Sequence, residues 1–97
     1  MPYIKQEDKP KFEPALKTLA GVEINGPGEL NYLVTRIALM YLEQNGLKYQ
    51  HLNDVSGALT NANLELYRRL AGPYEDKKIA ENGDVYPPKK VESVSNT

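Results

Sequence analysis

The chain has 97 residues, with 12 Lys+Arg against 13 Asp+Glu and a formal net charge of −1. That length fits one small domain, and the charge balance lacks the cation surplus that holds a protein on nucleic-acid phosphates. Cysteine is absent, which removes disulfides, thiolate nucleophiles, iron–sulfur clusters and cysteine-based zinc sites together.

No apolar run reaches the roughly 18 residues that a membrane span needs. Met1–Asp8 has no basic stretch followed by an apolar core, so it does not read as a signal peptide. These features lead to the expectation of a soluble cytoplasmic protein. A domain of this size buries only about 60–65% of the surface its unfolded chain exposes. Self-association is a common remedy for so small a core.

Residues 1–10 are polar and carry Pro2 and Pro10; they read as an extended arm whose Tyr3-Ile4 pair can tuck onto the body or a neighbour. The first helix is expected from Glu13 to Ala20. Pro14 suits its first turn, Leu16, Leu19 and Ala20 share a face, and Gly21 supplies a stop. A second helix runs from about residue 27 to residue 45, opened by Gly26-Pro27-Gly28-Glu29 and ended by Asn45-Gly46. At 100° per residue, Leu30, Leu33, Val34, Ile37 and Tyr41 fall on one face. Tyr32, Leu39 and Leu42 make a second, narrower stripe, which we read as a surface shared with another subunit.

The third helix is expected from an Asn53 cap to about Ala71, with Val55, Ala58, Leu59, Ala62, Leu66 and Leu70 as its stripe. Gly57 inside it costs about 1 kcal/mol relative to alanine, which suggests close approach by another backbone or a ligand. Gly72-Pro73 ends or kinks this helix, and a last helix covers Tyr74–Asn82. Val85-Tyr86 reads as a short extended piece. Residues 1–88 thus form one helical domain, and residues 89–97 read as a disordered tail. No strand-like alternation persists beyond four residues.

The stretch from Tyr67 to Tyr86 holds three tyrosines, two arginines and two lysines around the Gly-Pro break. Arginine forks grip phosphate or carboxylate at two points, and tyrosine offers a flat face and a hydroxyl. Tyr67, Arg68, Arg69, Tyr74 and Lys78 are therefore the candidate site for a small anionic ligand such as a nucleotide. The competing reading is structural: Glu65 lies three and four residues before the arginines, so helical ion pairs also account for them. Seven tyrosines against one phenylalanine suit half-wet places such as interfaces and pocket walls.

No constellation for catalysis emerges. His51, the one histidine, has Asp54 and Ser56 nearby but no glycine-rich oxyanion loop, and reads as a surface or helix-start residue. Glu29, Glu43, Asp54 and Glu65 make no pair three residues apart, so a magnesium-dependent pyrophosphohydrolase is not expected. Asp76–Asp84 lacks the alternating ligands of a calcium loop. Gly26-Pro27-Gly28 has no adjoining lysine as a phosphate loop would. Neither a cofactor nor a metal is expected.

Several segments together, Gly28-Glu29-Leu30-Asn31-Tyr32, Asn53-Asp54-Val55 with Gly57-Ala58-Leu59, Glu65-Leu66-Tyr67-Arg68-Arg69 and Pro73–Tyr86, resemble a small uncharacterised family of bacterial and phage proteins. The opening Met1–Gln6 is similar to that family's start, and the resemblance spans about residues 1–86. It implies no catalytic residue and no activity, but it brings a phage context into view. In such a context a nucleotide-binding protein can sequester a host immune signal.

The resulting expectation is an all-α protein: a central antiparallel helix pair, a short N-terminal helix and a kinked C-terminal extension. Its expected role is that of a non-catalytic, homo-oligomeric binding protein for a small anionic ligand. The alternative is a protein–protein inhibitor or adaptor that docks a host or phage protein on its apolar stripe.

Overall fold

The computed structural model describes residues 2–86, and among them the fold is all-α. Two single 3-10 turns, Gln6–Asp8 and Pro10–Phe12, precede α1 (Glu13–Ala20). Then come α2 (Gly26–Asn45), α3 (Tyr49–Leu66), a wide π turn (Tyr67–Ala71) and α4 (Gly72–Asn82). By internal packing the chain divides after Ala62 into two compact units. The expected tail, residues 89–97, lies outside the described residues. No described helix is long and apolar enough to cross a membrane.

The first unit holds the arm, α1, α2 and most of α3. Residues 6–10, read from sequence as part of an extended arm, coil instead, in turns that run on to Phe12. The Asp8 amide donates to the Lys5 carbonyl at 3.0 Å and the Phe12 amide to Lys9 at 3.1 Å. The α1 boundaries match the proline start and glycine stop. At the head of α2 the Glu29 carboxylate reaches back to accept from the Asn25 amide at 2.8 Å, which satisfies a donor that the helix start would otherwise orphan.

The turn between α2 and α3 is shorter than its sequence suggests, because α3 begins at Tyr49 and not at Asn53. Asn53 is therefore interior to the helix rather than its cap. The cause lies in the turn. The Gly46 amide donates to Leu42 O at 2.7 Å, and its own carbonyl accepts from the Lys48 amide at 3.0 Å. The Leu52 amide already donates to Lys48 O at 3.0 Å, closing the first helical turn. His51 adds a side-chain brace, its Nδ1 donating to Gly46 O at 2.8 Å. Gly46 sits at φ +102°, ψ +152°, a backbone region open essentially to glycine alone.

The second unit is helical through the Gly72-Pro73 step, which neither ends the helix nor leaves it regular. Proline has no amide hydrogen, and within an α-helix its ring meets the carbonyl four residues back. The π turn absorbs this: the Gly72 amide reaches back five residues to Tyr67 O. A Cβ on Gly72 would lie 3.2 Å from that same oxygen, so glycine fits the close approach. Gly83 ends α4, its amide donating to Ile79 O at 2.8 Å.

No described side chain is buried, and none forms a closed core. The best-sheltered positions of α2 are Leu33, Val34, Ala38 and Leu42, and those at the start of α3 are His51 and Val55. Of these half-buried positions, Val34, Ala38 and Val55 face the space between α2 and α3, and Leu33 and Leu42, nine residues apart, lie on opposite sides of α2.

Candidate functional site

Two places in the structure gather chemistry, one in each unit. The first is a cleft of about 470 Å³ between α2 and α3. Val34, Ile37, Ala38 and Tyr41 line it from α2. Asp54, Val55, Ala58 and Leu59 line it from α3. The spacing explains the walls: residues three, four and seven apart on each helix share a face, as the apolar stripes require. Apart from one tyrosine hydroxyl and one carboxylate, the lining is apolar.

Those two polar groups answer each other. The Tyr41 hydroxyl donates to Asp54 Oδ2 at 2.9 Å, and the His51 ring stands edge-on to Tyr41 with centroids 6.1 Å apart. The bond to the Asp54 carboxylate holds the Tyr41 hydroxyl above its ordinary value of 10.0, with desolvation and the carboxylate's charge adding to it. His51 therefore pairs with a loop carbonyl and a ring edge, while Asp54 is used by Tyr41. Among the described residues no group of three His, Asp or Glu side chains comes together.

The walls of the cleft stay wet. Ile37 is 56% exposed and Leu59 is 45% exposed. Sequence periodicity places Val34, Ile37 and Tyr41 on one face, and Val55, Ala58 and Leu59 on another. That the two faces meet yet leave an open cleft is beyond what periodicity states. Of the expected subunit stripe, Leu42 is half-buried, while Leu39 is 46% and Tyr32 58% exposed. The Tyr32 hydroxyl accepts from Arg36 at 2.6 Å, with the guanidinium over its ring. Among the described residues, no heavy atom outside the helix's own backbone and the two chain neighbours lies within 4 Å of where a Cβ on Gly57 would stand, so none of them makes the close approach expected there.

The second place is the basic, tyrosine-rich segment around the π turn. Arg68 forks onto the Glu65 carboxylate, one arm short and Nε at 3.4 Å, as the three-residue spacing allows. The Tyr67 hydroxyl donates to Glu75. This bond, reinforced by the carboxylate's charge, raises Tyr67 above 10.0. Lys78 Nζ lies 5.7 Å from the centre of the Tyr74 ring and 3.3 Å from Glu81 Oε2. Arg69 has no ion pair among the described residues. The five candidate residues thus lie on one helical segment, but Tyr67, Arg68 and Lys78 have the acids Glu75, Glu65 and Glu81 as partners, and the Tyr74 ring has the Lys78 ammonium over it.

Sequence reasoning found this second segment and missed the cleft as a site. It also missed the bond between Tyr67 and Glu75. Eight residues in an α-helix are about 80° apart around the axis, and only the wide turn brings that pair together.

Comparison with curated proteins and with solved structures finds no match. A family model described as "Domain of unknown function (DUF6899)" matches residues 1–85, nearly the whole described chain and every residue of both candidate places. The chain belongs to this family.

Proposed function

We propose that this chain is a non-catalytic binding protein that works as a homo-oligomer through the faces of its α2–α3 hairpin. The observation that supports the reading is the absence of a buried side chain among the described residues, beside apolar walls that stand 45–56% exposed at Leu59 and Ile37. Burial of apolar surface is the main term favouring a folded chain, and small domains commonly obtain it by self-association. The exposed Leu39 and Tyr32 extend the apolar surface around α2. Light scattering on the full chain across a range of concentrations tests the reading. A dimer or larger assembly is expected, and a strict monomer at every concentration would refute it.

A second reading concerns the π turn. Arg69 offers a guanidinium without an acid partner among the described residues, Tyr74 an aromatic ring, and Lys78 an ammonium held by a weak surface pair with Glu81, a set suited to a small planar anion such as a nucleotide. In a phage setting such binding would serve sequestration of a signal. A thermal-shift screen of nucleotides is expected to give stabilisation that Arg69→Ala abolishes. Arg68→Ala, whose side chain pairs with Glu65, is expected to retain most of it. Equal loss in both variants would place the anion on a different set of groups, and no shift with any nucleotide would remove this reading.

A further inference from the structure

We infer that the α2–α3 cleft is one half of a hydrophobic core, completed by the same cleft of a second copy to give a two-fold four-helix bundle. This rests on the oligomeric reading above and names its surface and geometry. Four features carry it.

The cleft asks for an apolar occupant. Its two polar groups, Tyr41 and Asp54, already bond each other at 2.9 Å, so an apolar insert leaves the Tyr41 hydroxyl and Asp54 Oδ2 with a partner.

The cleft is also self-complementary. An interface around a two-fold axis needs projections and hollows on one surface. Here Ile37 and Leu59 project while Ala38 and Ala58 lie beside them as small-residue hollows. Large side chains from one copy seating over alanines of the other is knobs-into-holes packing.

The area is adequate. Helices of 20 and 18 residues are about 30 and 27 Å long, and each is about 10 Å wide. The two-helix face therefore covers about 570 Å² per copy, and two faces exceed the ~1,000 Å² expected of a specific interface. A small molecule, by contrast, would leave most of that face in water.

Charge opposes the pairing only locally: a net charge of −1 gives little long-range repulsion between copies, and the one charged group in the cleft lining, Asp54, accepts from Tyr41.

The test is sedimentation equilibrium of the full chain with Ile37→Glu and Ala58→Glu. Circular dichroism checks that each variant remains helical. A dimeric parent with at least a tenfold weaker association in both variants supports the bundle. If the parent is dimeric and both helical variants stay equally dimeric, the cleft assignment falls while the oligomeric reading stands. If the parent is monomeric, both fall. Because an acid in the seam can unfold the hairpin, a second arm introduces Ala58→Cys into this cysteine-free chain. Covalent dimer formed with a short bifunctional maleimide supports the bundle, and its absence in a folded, dimeric sample overturns it.

Discussion

Replacing Gly46 with alanine isolates the energetics of the turn that makes the hairpin. A Cβ at this position meets no atom within 4 Å, so no steric clash contributes. The cost lies in the backbone, held at φ +102°, ψ +152°. A residue other than glycine in such a region is destabilised by about 1–3 kcal/mol. Alanine recovers about 0.4–1 kcal/mol because its unfolded chain has fewer conformations to lose. The balance is a loss of about 1.5 kcal/mol, roughly a tenfold shift in the folding equilibrium. For a chain of this size Tm should fall by about 6–12 °C, at about 4–8 °C per kcal/mol.

Thermal melts followed by far-ultraviolet circular dichroism, at one fixed protein concentration, measure the shift. Gly57→Ala provides a control of opposite sign. It too has open space at its Cβ, but it lies inside α3 without a positive φ, so alanine should stabilise by about 0.5–1 kcal/mol. A Gly46→Ala protein that melts at or above the parent temperature would refute the account of the turn. A Gly57→Ala protein that melts lower would show that something from another molecule packs against that glycine.

The hydroxyls of Tyr41 and Tyr67 are raised above 10.0 because each donates to a carboxylate. The unfolded chain loses these protons first, so their contribution to stability is complete below about pH 10 and fades as pH rises through the higher folded values. In a tyrosinate absorbance titration of the folded protein, Tyr41→Phe and Tyr67→Phe should each delete a late-ionising step; deletion of an early step would contradict the assignment. Pro73→Ala restores an amide donor and should let the π turn close to a regular helix. Glu75 then moves away from Tyr67, and the Tyr67 step should shift toward lower pH; an unchanged Tyr67 step would show that the proline does not hold the wide turn open.

Features set by neighbours in the chain were legible in the sequence. Pro14 and Gly21 bracket α1 at its observed bounds, and the three-residue spacing of Glu65 and Arg68 foretells their ion pair. The apolar stripes of α2 and α3 supply the walls of the cleft. What sequence periodicity lacks is any term for the distance between two helices, so it marks Ile37 and Leu59 as apolar without saying that they stay wet. The start of α3 was displaced for a related reason. Asn53 is a good capping residue, but bonds from Gly46 O to the Lys48 amide and the His51 ring start the helix earlier. The partnership of Tyr41 and Asp54 depends on the register of the hairpin, and that of Tyr67 and Glu75 on a non-α turn. Neither can be read from 3.6-residue spacing.

The open seam between the helices also sets how amide protons are protected from solvent exchange. A backbone hydrogen bond sealed by packed side chains exchanges only through large-scale opening, whereas one flanked by water exchanges when a single turn frays. With no described side chain buried, the isolated protomer belongs to the second regime, and deuterium should enter α2 and α3 quickly. Raising the protein concentration should then slow uptake most at Val34, Ala38 and Val55, along the inner surfaces of the hairpin.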